Sequence, residues 1–361
     1  MNFRVKQAEM ADGMAQSSSD KAALALARRL VIAIPTLNEA DHIADCLDSL
    51  RRGVSPEIFA AMEIIIADGG SSDGTCAIVE NYSAGHSNVR WVDNPGKFQS
   101  AGVNRAAEMA SQQRDILLRC DAHAVYPEGF ILKAISSWAE GEADSVVFPM
   151  DAQGQGCFQK ANAWIVDTKL GSGGSAHRGG RQSGFVDHGH HGVFDKNRFL
   201  QLGGYDASFS HNEDAEFDAR LRKDGGKIWL DADIRIGYFP RSNPASLWRQ
   251  YFGYGKGRAR NVLKNRESLR LRQMIPVVNI FVLAGSFLLA PLHPIFLVWP
   301  ALYGALLMGA SLWMAFRHKS ICGLWSGVAL ADMHLAWGLG FVSGIFQFIS
   351  SGTKPARQGR G

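Results

Sequence analysis

The sequence predicts an α/β domain built on a mainly parallel sheet, followed by membrane-spanning helices. Two observations carry that prediction. Short, almost continuously apolar β-branched runs alternate with helix-patterned segments from Arg29 to Met150, the signature of strands buried on both faces and joined by crossover helices. In the last quarter, Pro276 to Leu292 and Ile295 to Phe316 contain no Asp, Glu, Lys or Arg, and a bilayer core needs roughly 20 apolar residues per helix.

The elements follow in order. Residues 1–28 are polar, carry Ser17-Ser18-Ser19 and lack the apolar core of a signal peptide; they read as a loose tail. Leu30 to Ile34 is a first strand, ending at Pro35. Ala40 to Leu50 is a helix with Ile43, Cys46, Leu47 and Leu50 on one face. Ile64-Ile65-Ile66 is a second strand, stopped by Asp68-Gly69-Gly70, with a short helix after Gly74. Val89 to Val92, Ile116 to Leu118 and Ser145 to Phe148 are further strands, and Gln99 to Ala110 is a helix. Gly154 to Gly192 is rich in Gly, Ser and His and predicts an irregular segment. Order returns at Phe199 to Tyr205 and in a helix from Asp214 to Lys223.

Between Arg249 and Arg272 eight basic residues face a single acid, Glu267, with Trp248, Tyr251, Phe252 and Tyr254 close by. Such a stretch entering a membrane span predicts a cytoplasmic interface helix. The resulting plan is a tail at 1–28, an α/β domain at 29–246, an interface segment at 247–273, a membrane region at 274–350 and a basic tail at 351–361. Spans are expected near 275–292 and 295–316. Residues 321–349, which include Asp332 and His334, read as either a third span or a re-entrant pair.

Composition narrows the functional classes. With 361 residues, 46% hydrophobic and 20% charged, the chain is neither disordered nor fibrous. A net charge of +4 gives no argument for nucleic acid. The five cysteines are scattered without a CxxC pair, which predicts no disulfide framework and a reducing compartment.

In parallel sheets ligands gather at the carboxyl ends of the strands, and the polar clusters fall there. Asp68 stands before Gly69-Gly70-Ser71-Ser72-Asp73-Gly74-Thr75, where a carboxylate can accept from a base or ribose; an ordinary turn would also place Asp and Gly so. Asp121 and His123 are spaced to share one divalent cation, Mg2+ or Mn2+. In His211-Asn212-Glu213-Asp214-Ala215-Glu216, Asp214 at a helix start is the candidate general base. Asp231-Ala232-Asp233 reads as a turn, and Asp187-His188-Gly189-His190-His191 as a polar loop near the acceptor rather than a metal site.

Taken in order, Val31 to Asn38-Glu39, Ile66 to Thr75, Asn94-Pro95-Gly96-Lys97 with Asn104, Cys120-Asp121-Ala122-His123, Gly203-Gly204-Tyr205-Asp206 and Asn212-Glu213-Asp214 resemble the family 2 glycosyltransferases of GT-A fold, specifically the succinoglycan-biosynthesis type of exopolysaccharide glucosyltransferase. The resemblance implies nucleotide-sugar contacts at Pro35, Thr36, Glu39, Asp68, Lys97 and Asp121, and a metal at Asp121 with His123. It implies a base at Asp214, and acceptor or diphosphate contacts at Glu213, Tyr205, Arg249, Lys256 and Arg258. It further implies a UDP-sugar donor, a polyprenyl-diphosphate-linked saccharide acceptor, membrane lipids as surroundings and a multi-pass protein of the bacterial inner membrane with a cytoplasmic catalytic domain. No Gln-x-x-Arg-Trp motif occurs near Trp248 to Gly255, which favours transfer of one residue over processive synthesis. A nucleotidyltransferase and a non-catalytic nucleotide-sugar-binding scaffold are the alternatives; release of pyrophosphate, or of nothing, would distinguish them.

Overall fold

A computed structural model describes residues 19–175, 178, 181–266, 269 and 271–350; residues 1–18 and the basic tail 351–361 lie outside the described residues. The expected loose start is corrected in part. Residues 19–27 form a helix, α1, because Leu24, Leu26 and the buried Ala27 pack on the core.

The α/β half runs β1 (Leu30–Thr36), α2 (Ile43–Arg51), α3 (Pro56–Ala61), β2 (Glu63–Asp68), α4 (Thr75–Gly85), β3 (Val89–Asp93), α5 (Gln99–Met109), β4 (Ile116–Arg119), β5 (Ala124–Val125), α6 (Phe130–Glu140), β6 (Ser145–Phe148) and β7 (Met150–Ala152). It continues through α7 (Cys157–Val166), α8 (Lys169–Ser172), β8 (Gly184–Phe185), β9 (His191–Asp195), α9 (Lys196–Gln201), α10 (Glu213–Lys223), β10 (Ile228–Leu230) and β11 (Ile236–Tyr238). Eight strands form one sheet in the order β3-β2-β1-β4-β9-β6-β10-β8, and β5-β11-β7 form a small second sheet. The first four are parallel, whereas β9 runs antiparallel between β4 and β6.

Alternation along the central strands separates two cores. Leu30, Ile32 and Ile34 face α2, α4 and α6; Val31 and Ala33 face α5, α9 and α10. Every residue of β1 is buried, as a strand covered on both sides must be. The segment 154–192, expected to be irregular, contains α7, whose Phe158, Ile165 and Val166 pack against the membrane helices.

A long helix, α11 (Pro244–Asn265), starts at Asn243, whose side chain accepts from Ser246 N, with Pro244 in the first turn. Then come α12 (Leu271–Leu289), a 3-10 turn, α13 (Val298–Arg317), a second 3-10 turn and α14 (Ser326–Ser350). Three helical segments, Leu271–Leu289, Pro294–Arg317 and Ile321–Ser350, are long and apolar enough to cross a membrane. The last is a single helical passage rather than a re-entrant pair. Helix α11 packs lengthwise on α14: a Cβ at Gly255 would strike the Trp337 carbonyl, and one at Gly340 the Phe252 carbonyl. Glycine is needed there because the two backbones touch.

The expectation that the cysteines form no disulfide is corrected at one pair: Cys157, at the start of α7, and Cys322, in the turn before α14, are bonded across 165 positions of sequence. No local spacing could announce a pair so far apart. Cys46, Cys76 and Cys120 are free.

Candidate active site

The site lies where β1, β2 and β4 end. Pro35 and Thr36 are the last residues of β1, and Thr36 is in register with Asp68. Asp68 is buried and accepts from Thr36 Oγ1 (2.9 Å), Gly70 N (2.9 Å), and Ser71 N and Oγ (2.8 and 2.6 Å). Burial pushes its carboxyl up, but these hydrogen bonds outweigh burial and hold it below its usual value. Asp68 thus shapes the Gly-rich loop beside the strand ends. Lys97, at φ 60°, presses its backbone against Gly69 on the same rim.

Asp121 follows β4 and is 5% exposed. Gln99 Nε2 donates to its Oδ1, and Arg119 Nε lies 3.4 Å from the same oxygen. Arg119 is fully buried and its other arm reaches Glu213 Oε1 at 3.2 Å. One guanidinium therefore joins the end of β4 to the start of α10. Burial would raise the Asp121 carboxyl, yet Arg119 and His191 hold it well below the usual range. Because Arg119 compensates two buried carboxylates, Arg119→Met is expected to destabilise the fold by about 3–5 kcal/mol. A thermal unfolding scan of the detergent-solubilised chain would check this; an unchanged midpoint would refute it.

The polar loop supplies what sequence reasoning missed. The antiparallel β9 begins at His191, opposite Phe148, which brings it to the end of β4. His191 Nε2 lies 3.3 Å from Asp121 Oδ2, and His190 Nδ1 lies 3.7 Å from Asp214 Oδ2. The two imidazoles stack with centroids 4.9 Å apart. Gly189 makes this possible: a Cβ there would collide with Val147, while its N–H donates to Asp218 Oδ2 at 3.0 Å. Ligand atoms of Asp121, His190 and His191 all lie within 4.8 Å of one another. His190 Nδ1 and both ring nitrogens of His191 are buried without hydrogen-bond partners. Burial, with Arg119 nearby, pushes the His190 imidazole well below its usual value and keeps it neutral. Two imidazoles and a carboxylate suit a divalent transition ion. His123, the expected ligand, turns instead to Glu39, with its Nδ1 3.0 Å from Oε1.

Asp214 stands in the first turn of α10, which follows Asn212, whose φ of 63° turns the chain and whose Nδ2 donates to Tyr254 O at 2.8 Å. Burial and the adjacent Glu213 push the Asp214 carboxyl up to about 7, against the pull of Arg119. Asp121, His190, His191, Glu213 and Asp214 all line one cavity of about 2310 Å³, as do Glu39 and His123.

Other expected positions fall elsewhere. Pro35, Thr36, Asp68 and Lys97 are not on that wall; they belong to the neighbouring strand-end rim. Tyr205 is buried beneath Arg119, ring centroid to guanidinium carbon 5.3 Å, among Phe194, Phe199 and Phe217. A residue so enclosed supports the site from behind and meets no acceptor. On α11, Ser246, Gln250, Tyr254 and Arg258 share the cavity face. Arg249 and Lys256 sit off this four-residue repeat and do not line the cavity. Asp231-Ala232-Asp233 is a turn, with Asp233 N donating to Asp231 Oδ1.

Two buried carboxylates, Asp121 and Asp214, each beside one of a stacked pair of imidazoles, and a Gly-rich loop at the strand ends form the site of a group-transferring enzyme. Residues 31–200 match the glycosyl transferase family 2 model. The chain is 41% identical over 318 residues, 88% of its own length and 95% of the other's, to the succinoglycan biosynthesis protein ExoA of Rhizobium meliloti (strain 1021). The chain belongs to glycosyltransferase family 2, and its likeness to the succinoglycan type holds along nearly the whole length. It is also 24% identical over 243 residues, 64% of this chain and 74% of the other, to the dolichyl N-acetyl-alpha-D-glucosaminyl phosphate 3-beta-D-2,3-diacetamido-2,3-dideoxy-beta-D-glucuronosyltransferase of Methanococcus voltae. Among solved structures, the mannosyltransferase PcManGT of Pyrobaculum calidifontis, in complex with GDP-Man and Mn2+, shares the fold at TM-score 0.52 and 17% identity, covering 84% of this chain and 86% of that one.

Proposed function

We propose that this glycosyltransferase moves a single sugar, glucose, from UDP-glucose to a lipid-linked saccharide in exopolysaccharide synthesis, with inversion, at the cytoplasmic face of the bacterial inner membrane. The observation that carries the reading is the shared cavity of Asp121, His190, His191 and Asp214, which continues to the membrane helices.

Asp214 takes the proton of an acceptor hydroxyl as that oxygen bonds to the anomeric carbon. The bond from that carbon to the diphosphate oxygen breaks on the opposite face, UDP leaves, and an α-linked donor gives a β-glycoside. The raised carboxyl of Asp214 suits a base that works near neutrality. Asp121, His190 and His191 would hold a divalent cation, Mn2+ or Mg2+, and its charge would offset that of the departing diphosphate. Asp68 and the Ser71 loop bound the nucleoside side, and Gln99 and Arg119 keep the Asp121 carboxylate in place. The relative from Methanococcus is named for a dolichyl-linked acceptor, which fits an active site mounted on membrane helices.

The test is UDP release by the full chain in membranes, across a panel of UDP-sugars with Mn2+. Release is expected with UDP-glucose and to rise when lipid-linked saccharide is added. Pyrophosphate in place of UDP, or no release from any sugar nucleotide, would overturn the proposal.

A further inference from the structure

The cavity is larger than a donor needs. At about 2310 Å³ it exceeds the roughly 300–1,000 Å³ of ordinary small-molecule sites. From Asp214 it runs past Tyr238, Tyr251 and Tyr254 to a cleft walled by all three membrane helices: Met274 to Pro276 of α12, Leu302 and Tyr303 of α13, and Trp337 of α14. The α13 wall is open, with Leu302 58% exposed.

Arg178 lines the cavity beside Tyr238, a stretch here called its neck. Its guanidinium carbon lies 4.5 Å from the Tyr238 ring centroid, and its Nη1 is buried without a hydrogen-bond partner. The acid nearest in influence, Asp167, makes no ion pair with it among the described residues, and burial pushes that carboxyl up to about 6. A guanidinium fork matches phosphate oxygens in pairs, and phenolic hydroxyls can donate to the same group. Arg258 and Arg272 line the same stretch, adding positive charge. An anion is the complement of the neck, and a hydrocarbon chain the complement of the cleft. The donor diphosphate does not explain Arg178, because the metal-ligand cluster already provides for it.

We infer that Arg178 and its three tyrosines seat the diphosphate of an isoprenoid acceptor whose tail lies in the cleft between α12, α13 and α14. The acceptor then enters sideways from the bilayer and presents its sugar to Asp214. This deepens, and rests on, the lipid-linked acceptor proposed above.

The test measures binding alone. The full chain in nanodiscs, with EDTA to silence the metal cluster, is titrated with farnesyl diphosphate, farnesol and inorganic pyrophosphate. Farnesyl diphosphate is expected to bind tightest. Arg178→Gln should weaken it by about 10- to 100-fold, the value of a charge-assisted hydrogen bond, and Arg178→Lys should recover part of the loss. Leu302→Trp, at an exposed position that tolerates bulk, should weaken farnesyl diphosphate and spare pyrophosphate. Equal affinity in wild type and Arg178→Gln would overturn the inference. So would farnesol binding as tightly as its diphosphate, or pyrophosphate binding as tightly as the lipid with Leu302→Trp neutral, which would indicate a phosphate site without a lipid cleft. Arg178-dependent binding in a chain that releases no UDP would support this site while overturning the transfer reaction.

Discussion

Asp214→Asn is expected to lower turnover by about 10²- to 10⁴-fold, the contribution of a positioned general base, while UDP affinity stays unchanged. Asparagine keeps the shape and can still accept from Ala215 N, as Asp214 Oδ1 does at 2.7 Å. It also removes a buried charge that Glu213 and burial disfavour, so the fold should not suffer. What it cannot do is take a proton. Single-turnover transfer combined with isothermal titration of UDP separates the two effects. Turnover within threefold of wild type would remove Asp214 from the role of base.

Asp121→Ala is expected to erase the gain in UDP affinity that Mn2+ provides, bringing it to the value measured in EDTA. The carboxylate is the charged member of the cluster and sits between Arg119 and His191. Without it, the imidazoles face Arg119 alone, and a cation would meet net positive surroundings. His191→Ala should act in the same direction, whereas His123→Ala should not, because that ring pairs with Glu39 outside the cluster. Titration of UDP with and without Mn2+ across the three variants checks this. A full Mn2+ effect in both Asp121→Ala and His191→Ala would place the ion elsewhere, and loss in His123→Ala alone would restore the ligand suggested by the Asp121/His123 spacing.

The sequence exposed the parallel half of the sheet because its strands are buried on both faces. The Ile64-Ile65-Ile66 run has no other economical home, and Asp68 and Asp121 then fall at strand ends automatically. It did not expose β9, whose antiparallel insertion between β4 and β6 depends on tertiary pairing rather than on a local pattern. From sequence His191 therefore reads as part of a loop, whereas it opens β9. Arg119 carries no sequence signal, because arginine is ordinarily exposed, yet it is fully buried against the two acids it pairs with. On α11 the abundance of basic residues was plain, but which of them face the cavity is fixed by how the helix rotates to fit its glycines against α14. The Cys157–Cys322 bond unites segments that only the folded chain brings together.

The backbone contact of α11 with α14 leaves the catalytic half no slack over its anchor. A linker would let the two parts slide past one another; here any side chain larger than hydrogen at Gly255 or Gly340 is expected to pry the seam open, and a lower thermal unfolding midpoint in Gly255→Ala would register it.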